Sequence, residues 1–448
     1  MEGPEGGVSV RRPRRWRTRL ALAVAAIGLV GGSTAWISRE RIATDLIDGY
    51  LAERGVRATY DIASLTPQQQ VIANLVIGDP ARPDLTVRRM VIETGVGWAG
   101  PEVRRVRIEG ARVYASLMGG KLSFGALDPL VFTGSDVAPA LPAIMLEVED
   151  ARALVAGDFG RVGLALEGAG RLDDGFAGRL AATAPGIGVK DCRAESATLY
   201  AKVTTADGAP AFDGPLRLAG LACAGASLAR ADIGTKASLR PDFAAADADF
   251  RLTGESAAYA DLVAAGLTGS ARLGWSEGRL AVSHDLALTG IATPQGRLAR
   301  LAAEGGWRGA ADGSSGQWEG TLRGAGLAPG PGFTASLAAA ERGTAGTLLA
   351  PLIARVRSAL ASGLEGASLR AEAIIRHKGD EATLTIPEAR LASRSGTPLA
   401  ALSRGRAMLG PAGLSGFGGN LLAGGAGLPA VNARIAQDAG ADGGWTLR

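Results

Sequence analysis

Few residues of this sequence invite a chemical reading: two histidines, two cysteines and two acidic pairs. His284 and His377 are the only histidines, and neither stands in a zinc-ligand spacing or beside the parts of a catalytic triad. His284 falls on the apolar side of an alternating stretch, where a core or rim ring with a satisfied hydrogen bond is a simpler reading than a ligand. Glu147 and Glu149 share one side of a strand as a solvated pair, and Asp173 and Asp174 precede Gly175 as turn residues. No nucleophile elbow, P-loop, dinucleotide fingerprint or zinc spacing occurs. The chain is therefore not read as an enzyme, and no catalytic residue, cofactor or metal is expected. Cys192 and Cys223 enclose thirty residues. In an oxidising compartment they are a candidate disulfide, worth about 2–4 kcal/mol in chain-entropy terms; the alternative is two buried thiols.

The compartment is decided at the N-terminus. Residues 11–19 read RRPRRWRTR, six arginines in nine residues, and residues 20–37 read LALAVAAIGLVGGSTAWI, eighteen without a charge. That length is close to the roughly 20 apolar residues that cross a bilayer core as a helix. Trp16 and Trp36 bracket the span, and at about 1.5 Å per residue they stand roughly 30 Å apart, where interfacial aromatic belts lie. Arginines before the span and mixed, acidic sequence after it place the N-terminus in the cytoplasm. Ser33, Thr34 and Ala35 also offer a signal-cleavage site, but the run exceeds the usual apolar region of a signal and ends without A-x-A. Either way the body is exported. The expected layout is a basic tail over 1–19, a transmembrane anchor over 20–37, an amphipathic helix over 38–55 and a β-rich domain over 56–448. That helix rests on Ile42, Leu46 and Tyr50 beside Ala43, Ile47 and Leu51, with Gly55 at its end.

Composition narrows the class of the body. Glycine, at 66 of 448 residues, is about twice its usual share, aromatics are 5% and apolar residues 47%, so this is neither a disordered chain nor an ordinary enzyme core. A pI near 9.3 invites a nucleic-acid reading. Residues 1–19, however, hold six arginines and two glutamates, net +4, which is the formal net charge of the whole chain. The exported body is neutral and lacks a polyanion footprint, so no nucleic acid is expected as a partner.

From Val56 a two-residue period takes over. Residues 71–77, 85–94, 103–117 and 144–155 read as strands of β-branched and aliphatic residues. Gly254, Gly274, Gly278, Gly290, Gly306 and Gly320 are read as breaks between strands, with turns about every eight to twelve residues. Roughly 22 to 26 strands at about 4.8 Å each would run near 110 Å. Within 280–290, Leu280, Val282, Leu286 and Leu288 share one face, while Ala281, Ser283, Asp285 and Thr289 share the other. Val162, Leu164 and Leu166 repeat the pattern, and these seven are the candidate lining of an apolar compartment. Its many Ala and Gly positions either leave room or draw backbones together. Over 347–361, Leu348, Leu352, Val356 and Leu360 fall four apart, predicting an inserted amphipathic helix with Pro351 in its first turn and Gly363 at its end.

The anchor and helix are followed by VRATYDIASLT, LTVRRMVIETGVGW and VRRVRIEGARVYASL, and later by GTAGTLLAPLIARVRSALA, SLRAEAIIRHKGDEATLTIPEARLAS and GTPLAALSR. This sequence resembles the bacterial AsmA-like proteins of the YdbH type, related more distantly to TamB and YhdP. The resemblance covers most of the chain in texture and carries no catalytic motif. It implies a mainly β fold, a long twisted antiparallel sheet curved into a taco-like groove, that moves phospholipids between inner and outer membranes and supports outer-membrane lipid homeostasis. It also implies a single-pass inner-membrane protein with its bulk in the periplasm. A distal partner, an outer-membrane lipoprotein or another bridge subunit, is implied at the C-terminal end. Members of this type are substantially longer, so a truncated or partial chain is expected. Two other readings stay open. A structural β-solenoid of the envelope predicts a dry interior and repeats of constant length, against which the irregular spacing speaks. An outer-membrane protein assembly factor predicts exposed sheet edges that pair with client strands.

Overall fold

A computed structural model describes residues 51, 53–66, 68–97, 100–132, 140–189, 191–348, 350–379, 381–410, 413–425, 428–437 and 445–447. The protein is mainly β, with 23 strands and few helices among the described residues. The expected tail, the anchor with Trp16 and Trp36, and the amphipathic helix up to residue 50 lie outside them. Among the described residues no helix is long and apolar enough to cross a membrane. The chain packs as two units. One runs through Pro185 and takes in Tyr200–Phe212 and Arg240–Phe243; the other comprises Gly186–Leu199, Asp213–Leu239 and the chain from Ala244.

The first unit opens with an antiparallel meander, β1 (Ala58–Leu65), β2 (Gln69–Asp79) and β3 (Arg82–Gly97). β4 (Gly100–Glu109) and β5 (Arg112–Met118) are two halves of one strand broken at Gly110, whose φ is +68°, and both pair with β3. After β6 (Lys121–Ser123) and the one-turn helix α1 (Asp128–Val131), β7 (Met145–Gly157) returns parallel to β4 and β5. β8 (Gly160–Arg171) then resumes the antiparallel order. The sheet is therefore mixed, which corrects the expectation of an antiparallel one. Parallel neighbours need a crossover of a dozen or more residues, and the chain between Met118 and Met145 supplies it. Alternation reports which face a residue takes and not which way its strand runs. The strands read from sequence over 71–77, 85–94, 103–117 and 144–155 fall on β2, β3, β4 with β5, and β7.

This unit has a filled core. Ile72, Leu75 and Ile77 of β2 meet Val87 and Ile92 of β3 and Val103 and Val106 of β4, closed by Leu51 and Val56. Ala126, Leu127 and Leu130 of the crossover pack on it, and Ile92 is 0% exposed. Where β5 meets β7, Arg112 Nη2 donates to Asp150 Oδ2 at 2.7 Å, and this hydrogen bond holds the carboxyl below the ordinary carboxylate range.

β9 (Ala177–Val189), β10 (Cys192–Ala206) and β11 (Ala209–Cys223) give residues to both units. The second unit continues through β12 (Ala226–Leu239), β13 (Ala245–Tyr259), β14 (Leu262–Ser276), β15 (Arg279–Ala292), β16 (Gly296–Ala310) and β17 (Ser315–Pro329), each antiparallel to the next. Two helices interrupt the run, α2 (Pro331–Gly343) and α3 (Ala350–Leu364). β18 (Ala367–Lys378) then pairs with β17, and β19 (Glu381–Ala392), β20 (Pro398–Gly410), β21 (Gly413–Gly425), β22 (Leu428–Gln437) and β23 (Trp445–Leu447) follow. The helix expected over 347–361 is α3, in which Gly363 lies buried inside the last turn and not past it. α2 was not expected; Arg357 of α3 pairs with its Glu341 at 2.9 Å.

Strands β12 to β17 are each 14 or 15 residues long, which corrects both the expected turn spacing and its irregularity. Gly254, Gly274, Gly290, Gly306 and Gly320 lie inside strands, and only Gly278 of that set stands in a turn. A glycine within a strand marks a bulge or a close neighbour, and both occur here. Gly186, Gly220, Ser256, Gly290 and Gly326 have φ between +54° and +76° and recur 34 or 36 residues apart, once per hairpin. At the last three, two exposed residues follow one another, as in Thr289–Gly290 and Ala325–Gly326, and the alternation resumes one residue out of phase. The bulges line up: a Cβ on Gly290 would come within 2.9 Å of the Ala265 Cβ, and one on Gly326 within 2.7 Å of the Ala299 Cβ. A line of such bulges bends the strands together while keeping Ile291, Leu298 and Leu327 on the apolar side.

Candidate functional site

Directly opposed residues of an antiparallel pair point to the same side, so the register defines the two faces of the second unit. One row runs from Leu252 through Gly269, Leu286, Ala303 and Leu322 to Ala371. Another runs from Ala248 through Leu273, Val282, Trp307 and Trp318 to Ile375. Neither holds a charge. The opposite face carries ion pairs across the strands, Arg272 with Asp249 at 2.8 Å, Arg230 with Glu255 at 3.2 Å and Arg323 with Glu304 at 3.4 Å, all exposed.

The apolar face is lined but not filled. Among the described residues of this unit the buried hydrophobics are alanines, such as Ala248, Ala373 and Ala407, with Ile291 as the one large side chain. Leu252, Leu273, Val282, Leu286, Leu322 and Trp318 stay half-buried. Alanine in the ladder brings no bulk to cover its larger neighbours, so their upper surfaces stay open to any apolar guest.

The structure places the expected residues as follows. Leu280, Val282, Leu286 and Leu288 sit on β15, all half-buried and all on the apolar face. Val162, Leu164 and Leu166 sit on β8 of the first unit, opposite Val155, Ala153 and Ala151 of β7. Cys192 opens β10, Cys223 closes β11, and a disulfide joins them with 4.0 Å between their Cα atoms. Glu147 pairs with Arg107 at 2.9 Å, and Asp173 with Arg171 at 2.8 Å, an interaction that lowers the Asp173 carboxyl below its ordinary range. A cavity of about 940 Å³ lies over β11 to β16, its wall shared between charged residues such as Lys236, Asp249, Arg272 and Asp285 and the neutral Phe250, Ala271 and His284. Three of these charges pair across strands, Arg272 with Asp249 and Lys236 with Asp213. Among the described residues no group of His, Cys, Asp and Glu is arranged to hold a metal ion.

Sequence reasoning missed a cluster on the apolar face. Trp318 Nε1 donates to His284 Nε2 at 2.8 Å, and His284 Nδ1 lies 3.2 Å from the Ala303 carbonyl. With Nε2 accepting from the indole, Nδ1 donates to the carbonyl, and both ring nitrogens are satisfied. The two ring planes are nearly parallel, 9° apart with 6.1 Å between centroids, and Trp307 and His377 form a second near-parallel pair at 19°. Glycines make room for them: a Cβ on Gly316 would lie 2.5 Å from the Trp307 ring, and one on Gly320 2.6 Å from the Trp318 ring. The signal was present in the sequence, since Trp307 stands two residues from Gly305 and Gly309, and Trp318 two from Gly316 and Gly320.

A family model, YdbH-like, described as intermembrane phospholipid transport protein YdbH, matches residues 27–448. The chain belongs to this YdbH-like family of AsmA-like proteins. No curated protein and no solved structure matches it.

Proposed function

We propose that this member of the YdbH-like family conducts phospholipid between two membranes, with acyl chains lying on the apolar face of its sheet and head groups toward water. The observation that carries this reading is the half-open apolar face of the second unit, backed by an exposed ion-paired one. Each methylene removed from water contributes about 0.8 kcal/mol, so a long aliphatic face holds a chain through its length. Because the face has no deep charged trap along the rows described, a chain can slide from one strand to the next.

On this reading Val162, Leu164, Leu166, Leu280, Val282, Leu286 and Leu288 line the path. The inner-membrane anchor over 20–37, the periplasmic location of the body and a distal outer-membrane partner belong to the same proposal. A structural solenoid would fill its interior, and the open leucines of β15 argue against that. The test is the full chain purified with and without Leu164→Asp and Val282→Asp together, its bound phospholipids counted by mass spectrometry. The wild type should retain several lipids per chain and the folded double variant should lose most of them. Equal lipid in a folded double variant would overturn the proposal.

A further inference from the structure

The His284, Trp318, Trp307 and His377 cluster stands out on an apolar face that is otherwise mainly aliphatic, its other rings being Trp275, opposite Leu280, and Phe250, opposite Ala271. It also lies near one end of the strands. Trp307 is three residues from the end of β16, Trp318 three from the start of β17, and His377 one from the end of β18, whereas α2 and α3 connect the opposite ends of β17 and β18.

We propose that this ring floor is a head-group subsite that favours phospholipids carrying an ammonium over those whose head group is only anionic. The inference rests on the lipid-transport reading and names its substrate class. Three observations lead to it. First, the N–H of Trp318 and both nitrogens of His284 are engaged within the cluster, so those two rings offer a ligand only their π faces. Second, an indole that donates a hydrogen bond to an imidazole gains electron density in its ring, which strengthens attraction for a cation above it. Third, the residues of the same face paired with Trp307 and Trp318 and beyond them, Val282, Ile375 and Leu384, are aliphatic, so the rings are the electrostatic partners available to an ammonium there.

Arg279, which opens β15, and Lys378, which closes β18, alternate with Leu280 and His377 and so belong to the opposite face; both are exposed. A zwitterionic lipid can set its ammonium over the rings, its phosphate toward water at the strand ends, and its chains along the Leu286–Leu322 and Leu288–Leu301 rows. An anionic lipid makes the chain contacts alone, so the rings discriminate between the two.

The experiment uses the full chain, equilibrated in detergent with vesicles of equal parts phosphatidylethanolamine and phosphatidylglycerol and then separated from them. Mass spectrometry of the bound lipid should find the ethanolamine lipid enriched about fivefold or more, the scale of two cation–π contacts. Trp307→Leu with Trp318→Leu keeps apolar bulk and should bring the ratio close to one with total lipid unchanged. If that variant does not fold, Trp307→Phe, which keeps a ring of weaker π face, should lower the ratio about twofold. A wild-type ratio of one, or a ratio unmoved in a folded leucine variant or in Trp307→Phe when that variant carries the test, would overturn the head-group subsite alone and leave the rings as covers for their glycines. A wild type that takes up neither lipid would overturn the transport reading beneath it.

Discussion

The two units of this protein use the same alternating strands to opposite ends. In the first, β2, β3 and β4 press Ile72, Ile92 and Val106 into a core that a crossover segment covers, and these residues are shut from solvent. In the second, the buried hydrophobic residues among those described are alanines apart from Ile291, and the leucines, valines and tryptophans of the rows described remain half-open. A strand pattern of apolar and polar residues therefore specifies a face and not its fate. What decides whether the face becomes a core or a lining is the presence of a covering element and the size of the side chains between the large ones. In the first unit folding itself completes the burial; in the second, it leaves the face half-open.

The largest effect should separate the units directly. Ile92→Ala opens a cavity in a closed core and should cost about 3–4 kcal/mol, whereas Leu288→Ala on the open face should cost about 1 kcal/mol, both read by guanidinium unfolding. Equal losses would mean that the second unit's face is as filled as the first's. Removing the bridge with Cys192→Ala and Cys223→Ala should cost about 3 kcal/mol, because the closed loop of the unfolded chain is released. The line of bulges makes a pair of predictions with opposite signs. Gly326→Ala, at φ +71°, should destabilise by about 1–2 kcal/mol, while Ser256→Gly, relieving a serine held at +54°, should be neutral or stabilise by about 0.5 kcal/mol. The smallest effect lies in the first unit at acid pH. The Asp150 carboxyl is depressed by Arg112, so its contribution is present above the ordinary carboxylate pKa and is lost as pH falls through its own lower value. Carboxylate NMR should find Asp150 titrating below the ordinary aspartate range, and Arg112→Ala should return it toward that range.

Much of this was legible in the sequence, and the limits have physical causes. Alternation placed β2, β3, β7 and the face of Leu280, Val282, Leu286 and Leu288, because the period of two is imposed by strand geometry. Strand length was misread where Gly254, Gly290 and Gly320 were taken as turns. A glycine that gives way to a neighbouring ring or forms a bulge looks the same in one dimension as one that ends a strand. The recurrence of Gly186, Gly220, Ser256, Gly290 and Gly326 every 34 or 36 residues was available but hidden by the many other glycines. The parallel return of β7 left no local trace, since strand direction is set by the crossover. The Trp318–His284 bond joins residues 34 apart, and only the register of three strands brings them together.

The central claim, that one face of the second unit carries lipid and the other does not, is tested most directly by photo-crosslinking at two adjacent residues of β15. A benzoyl-phenylalanine placed at Leu286 faces the apolar rows, and one placed at Asp285 faces the ion-paired side. After irradiation in intact cells, phospholipid adducts should form at position 286 and be absent or far weaker at position 285. Equal labelling at both positions, or labelling at 285 alone, would contradict the account.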